Sequence, residues 1–71
     1  MEIKELRSNK RVTQKELARR LNSTFQYISN IETGNKKESL DMYAKICIAL
    51  GYTETETLKF IAERLGFGVY Y

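Results

Sequence analysis

The 71 residues carry a net charge of +3, are 42% hydrophobic and include no proline. They read as one small domain, 1–71, near the lower limit at which a single core suffices, with no linker, repeat or low-complexity stretch. A lone cysteine cannot close an internal disulfide, and the absence of histidine removes the usual zinc sites and the commonest general base, so no metal, cofactor or enzymatic chemistry is expected. No apolar run approaches the roughly 20 residues of a membrane span and the charged start "MEIKELR" is no signal peptide, so a cytoplasmic protein is expected.

Helical periodicity runs through almost the whole chain. Ile3 and Leu6 mark a first helix, roughly Glu2 to Asn9. Thr13 offers an N-cap hydroxyl with Glu16 at capping-box spacing, and Leu17, Ala18 and Leu21 form the inward stripe of a second helix ending near Leu21. Asn22 follows, a residue type that tolerates the left-handed conformation of a tight turn. Thr24 can cap a third helix whose inward residues are Ile28 and Ile31, and Gly34 can terminate it. Ser39 caps a fourth, with Leu40, Tyr43, Ala44, Cys47 and Leu50 on its apolar side and Gly51 as its stop; within that pattern Cys47 reads as a small buried hydrophobe. Thr53 and Glu56 form a second capping-box pair, opening a fifth helix with Leu58, Ile61, Ala62 and Leu65 facing in and Gly66 at its end. The expected fold is an all-α bundle of five short helices.

Charge is distributed unevenly. Up to Lys37 there are nine basic and four acidic residues, a balance of +5; from Glu38 onward three basic face five acidic, a balance of −2. One half suits a polyanion and the other a different task, although lysine-rich solvated helix faces would give the same count. The geometry of the second and third helices is more telling. Only three residues separate Leu21 from Phe25, too few for antiparallel packing, so the two helices must cross steeply, with Ala18 small enough to allow a close approach. That is the arrangement of a helix-turn-helix.

The segment "TQKELARRLNSTFQYISNIETG" resembles the helix-turn-helix of the lambda-repressor and Cro-like family, the XRE family. The resemblance rests on Gln14 after the cap, "ELA" at Glu16–Ala18, Leu21, Ile28–Ser29 and "IETG" at Ile31–Gly34, and it extends from Ile3 to the "ALG" of Ala49–Gly51. Asn22 stands where the family usually has glycine, and Ser23 where it usually has a buried aliphatic, which implies weaker packing under the turn. The resemblance implies a sequence-specific double-stranded DNA-binding regulator, a repressor of bacterial or phage type that binds a palindromic operator as a homodimer. Regulators of this family touch phosphate with a glutamine like Gln14 and with lysines like Lys36 and Lys37. In the family an arginine of the first helix also pairs with the glutamate matching Glu32. Arg7 occupies that position, and such a partner answers the problem of an acid in the last turn of a helix.

With Ile28 and Ile31 turned inward, a step of about 100° per residue puts Gln26, Ser29, Asn30 and Thr33 on the outward side of the third helix, with Phe25 beside them. In a major groove, Gln26 and Asn30 can each face adenine N6 and N7, and Phe25 can lie on a thymine methyl. The candidate base-reading set is therefore Phe25, Gln26, Ser29 and Asn30. Phe25 has a second reading as core folded back on the second helix, and Gln26 and Asn30 a second one as solvated polar residues. The candidate phosphate contacts are Gln14, Lys15, Tyr27, Asn35, Lys36 and Lys37, with Lys10 and Arg11 as weaker ones.

The segment of about 54–71 exceeds what a helix-turn-helix needs. Phe60, Ile61 and Leu65, with Phe67, Val69, Tyr70 and Tyr71 of the tail, form a candidate dimerisation surface; the alternative is that they cap the monomer's own core. A second function class stays open beside DNA binding: an antitoxin or protein-interaction module built on the same fold.

Overall fold

α1 (Ile3–Asn9), α2 (Gln14–Arg20), α3 (Phe25–Thr33), α4 (Leu40–Ala49) and α5 (Glu54–Arg64) follow one another in a computed structural model that describes residues 1–66. These five helices, with no strand among the described residues, make the fold all-α. Their start signals are chemical. Thr13, Thr24, Ser39 and Thr53 each accept the backbone N–H three residues on at 3.1 Å, satisfying a donor that a helix start leaves free. Thr53 closes the full reciprocal box, its own N–H donating to Glu56 at 2.9 Å. The spacing of Thr13 and Glu16 predicted a second box, and the structure corrects this. Glu16 turns along α2 to Arg19 and Arg20, whose hydrogen bonds hold its carboxyl down at about 2. Three charge-assisted bonds from two arginines win over one backbone N–H.

The turn between α2 and α3 depends on Asn22, which adopts φ 54°. There the N–H of Asn22 donates to the Arg19 carbonyl at 3.1 Å and that of Ser23 to Ala18 at 2.8 Å. Ser23 is half-buried, so the turn is fastened by backbone rather than by an aliphatic side chain. α3 ends where Gly34 takes φ 85°. Arg11, after α1, holds φ 56° without being glycine or asparagine, a conformation that costs an ordinary side chain about 1–2 kcal/mol. Replacing Arg11 with glycine should therefore raise stability modestly, by up to about 1 kcal/mol once the extra freedom of the unfolded chain is subtracted. Thermal melting of Arg11→Gly checks this; a lower midpoint would mean that the arginine contributes more than its backbone costs.

The core gathers Ile3 and Leu6 of α1, Leu17 and Ala18 of α2, Ile28 and Ile31 of α3, and Tyr43, Ile46 and Cys47 of α4, joined by Val12, Leu50 and Tyr52. Two tyrosines fasten α1 to it. The Tyr43 hydroxyl donates to the Met1 carbonyl at 2.7 Å, and the Tyr52 hydroxyl to the Leu6 carbonyl at 2.8 Å. Burial pushes the Tyr43 phenol up to about 12 and raises the Cys47 thiol, which stays protonated as a packing group.

Two inward stripes differ from the sequence reading. In α4, Leu40 is 45% exposed and Ile46 is fully buried, because the face that meets the core runs through Tyr43, Ile46, Cys47 and Leu50. In α5 the phase is rotated: Leu58 and Leu65 are 67% and 54% exposed, while Thr57 is buried. Thr57 can go inside because its hydroxyl donates to the Thr53 carbonyl at 2.8 Å. Phe60 and Ile61 pack against the core, and the Phe60 ring meets Tyr52 edge-on with centroids 5.2 Å apart. Part of the aromatic surface of Phe60 is thus engaged within the monomer. Phe67, Val69, Tyr70 and Tyr71 lie outside the described residues.

Candidate nucleic-acid interface

The two buried isoleucines of α3 fix which side of that helix meets solvent. Phe25 is 45% exposed at its first turn, so it does not fold back as core. Gln26 and Thr33 are exposed and Ser29 and Asn30 half-buried along the same side. Their polar atoms are ordered among themselves. Gln26 Nε2 donates to Asn30 Oδ1 at 3.2 Å, and the Thr33 hydroxyl shares its proton between the carbonyls of Ser29 (3.0 Å) and Asn30 (3.2 Å). The Gln26 carbonyl oxygen and the Asn30 amide nitrogen are not used in this bond and belong to an outward polar strip.

Cations flank the strip. Tyr27 is half-buried against the core, with the Lys36 ammonium 5.4 Å from its ring centroid. The Lys36 N–H donates to the Asn30 carbonyl at 3.2 Å, which ties the following loop to the last turn of α3. Lys15, Asn35 and Lys37 are exposed. Lys10 stands apart, its ammonium over the Tyr52 ring at 4.5 Å.

Behind α3 the acid of its last turn is fully occupied. Arg7 Nε donates to Glu32 Oε2 at 2.7 Å, its second nitrogen to Oε1 at 3.0 Å, and its third to the Val12 carbonyl at 3.0 Å. The side chains are 14% and 3% exposed. Burial alone would raise the Glu32 carboxyl, but hydrogen bonds from Arg7 and Gln14 and the arginine's charge outweigh it, and the net direction is down. Gln14 joins the same acid, donating Nε2 to Oε1 at 3.0 Å. At the first position of α2, Gln14 is therefore held by α3, which locks the two helices of the unit together.

The sequence reading did not include a second long-range pair. Glu38, in the loop after Lys37, is bonded to Arg64 of α5, whose guanidinium lies 4.4 Å from the Tyr43 ring centroid. Neither charge has a pattern around it that distinguishes it from a solvated surface residue.

Two helices joined by a four-residue turn, the second presenting an ordered polar strip flanked by lysines, define a helix-turn-helix protein. A helix-turn-helix family model matches residues 3–57, and the chain belongs to this family, the lambda-repressor and Cro-like (XRE) group of DNA-binding transcription regulators. The match spans α1 to α4 and the first turn of α5. No match was found among curated proteins or among solved structures. No group of acidic and cysteine side chains among the described residues could hold a metal ion, and none of the described helices is long and apolar enough to cross a membrane.

Proposed function

We propose that the protein is a cytoplasmic transcriptional repressor that binds a palindromic operator as a homodimer. α3 enters the major groove N-terminus first, Phe25, Gln26, Ser29 and Asn30 face the base edges, and Gln14, Lys15, Tyr27, Asn35, Lys36 and Lys37 grip phosphate. The observation that supports this best is the outward strip of α3, whose Gln26 and Asn30 amides are aligned one helical turn apart with lysines in the loop that follows the helix. Residues 1–71 act as one domain, in which α5 and the residues after it serve dimerisation. Half-sites then lie about 34–36 Å apart, one turn of DNA.

Selection of bound duplexes from a random pool tests the reading, because it reports both binding and symmetry. Gln26→Ala should cost about 1–3 kcal/mol on the selected site and relax one base position, whereas Lys36→Ala should weaken all duplexes alike. A selected motif unchanged in sequence and affinity by Gln26→Ala would remove Gln26 from base reading. Failure of the parent protein to enrich any duplex would overturn the proposal as a whole.

A further inference from the structure

We propose that Arg64, at the end of α5, is a positioning residue for DNA binding: it sequesters the Glu38 carboxylate and so keeps Lys36 and Lys37 free for phosphate. This rests on the DNA reading above, and it assigns to α5 a task distinct from dimerisation.

Glu38 is in the wrong place for a phosphate-gripping loop. A carboxylate next to two lysines repels phosphate and competes for the same ammonium groups. In the structure that competition is blocked. The Glu38 side chain is only 5% exposed and is bonded to Arg64, 26 positions further along the chain. Arg64 is itself fixed, since its guanidinium lies 4.4 Å from the ring of Tyr43, a fully buried residue whose hydroxyl is bonded to the Met1 carbonyl. An arginine stacked on an immobile ring can direct a carboxylate in a way that a solvated lysine cannot.

The surroundings of the loop make this pair matter. A cleft of about 450 Å³, with Glu2, Ile3, Lys4, Lys36, Lys37 and Arg64 among its lining residues, lies between the loop and the first turn of α1. The loop is tied to α3 through the Lys36 N–H and the left-handed Gly34, while its far end is tied by Glu38. A Glu38 deprived of Arg64 would be a buried carboxylate without a counter-charge, a costly state. The nearest cations along the chain are Lys36 and Lys37, and pairing with them would neutralise the groups meant for phosphate.

The test is a cycle of Arg64→Gln, Glu38→Gln and the double variant, with Arg64→Lys as the conservative control. Affinity for duplex DNA is measured across a salt series, at temperatures where each variant is shown by melting to be folded. Each phosphate contact contributes roughly 0.9 to the slope of log affinity against log salt, so Arg64→Gln should flatten it by about 1–2. Adding Glu38→Gln should restore the slope, and Arg64→Lys should largely keep it. If Arg64 touched phosphate itself, the second substitution would restore nothing. If the pair served only the fold, melting would shift while the slope stayed put. Either result overturns the proposal.

A measurement without DNA separates this inference from the operator reading. In the free protein the side-chain ε-resonances of Lys36 and Lys37 should shift in Arg64→Gln and return in the double variant. Resonances that behave so in a protein that binds no duplex would sink the operator reading while leaving the sequestration intact. Resonances indifferent to Arg64 would sink the sequestration.

Discussion

Arg7→Ala should melt far below the parent, at a cost of about 3–5 kcal/mol, the range for removing one partner of a buried pair. Domains of this kind have only about 5–15 kcal/mol in all, so the variant should be partly unfolded on mild heating, with or without DNA. Three bonds disappear together, two to Glu32 and one to the Val12 carbonyl. The carboxylate left behind retains the Gln14 hydrogen bond and only the weaker influence of the Lys4 charge.

The pH dependence should change sign. In the parent the Glu32 carboxyl is held below its ordinary value, so its contribution is complete above the unfolded carboxyl range and is lost as pH falls through the lowered folded value. In Arg7→Ala burial acts unopposed by the arginine and raises the folded value above the unfolded one. Protonation then favours the folded state, so the stability gap between variant and parent should be widest near neutrality and narrow on acidification toward about pH 4. Melting across pH checks this. A variant that melts with the parent at neutral pH would show that the pair contributes little, and a gap that widens on acidification would contradict the sign.

The second large effect concerns α5. Its rotation leaves Leu58 and Leu65 exposed one above the other, with Ile61 and Ala62 half-buried between them. On the proposed dimer, this stripe meets its own symmetry mate. Leu58→Glu with Leu65→Glu should give a monomer at micromolar concentration by sedimentation. Operator affinity should fall by about 10²–10⁴-fold, the gain that joining two binding modules provides. Binding to a single half-site should be preserved, because the substitutions lie on exposed positions away from α3. A parent that sediments as a monomer and binds one copy per operator would remove the dimer; a variant equally weak on half-site and operator would mean that the fold was damaged.

What could be read from the sequence was what is local. Thr24, Ser39 and Thr53 each act on a backbone N–H three residues away, so their roles follow from spacing alone. The outward face of α3 was legible because Ile28 and Ile31 fix its phase without ambiguity. In α5 the apolar side chains do not mark the inside. Leu58 and Leu65 are more apolar than Thr57, yet Thr57 satisfies its hydroxyl within its own turn, and the docking of Phe60 on Tyr52 is set by tertiary packing. Arg7 could be paired with Glu32 through the family resemblance, since charge alone would not select it among the cations of the basic half. Nothing similar pointed to Arg64 and Glu38, two charges far apart in sequence whose encounter depends on where α5 lands.

The tyrosine hydroxyls bound to the carbonyls of Met1 and Leu6 reach back 42 and 46 positions along the chain. α1 therefore has its full set of partners only when α4 and Tyr52 are in place. Arg7 reaches Glu32 only when α3 exists, and α1 has its full seat only when Tyr52 has emerged. A nascent chain stopped after α3 would hold a complete recognition unit in sequence with little of the packing that makes it rigid. Domains generally fold as units as they leave the ribosome. Here the unit includes α4 and Tyr52, because the start of the fold is anchored to the rest through Tyr43 and Tyr52.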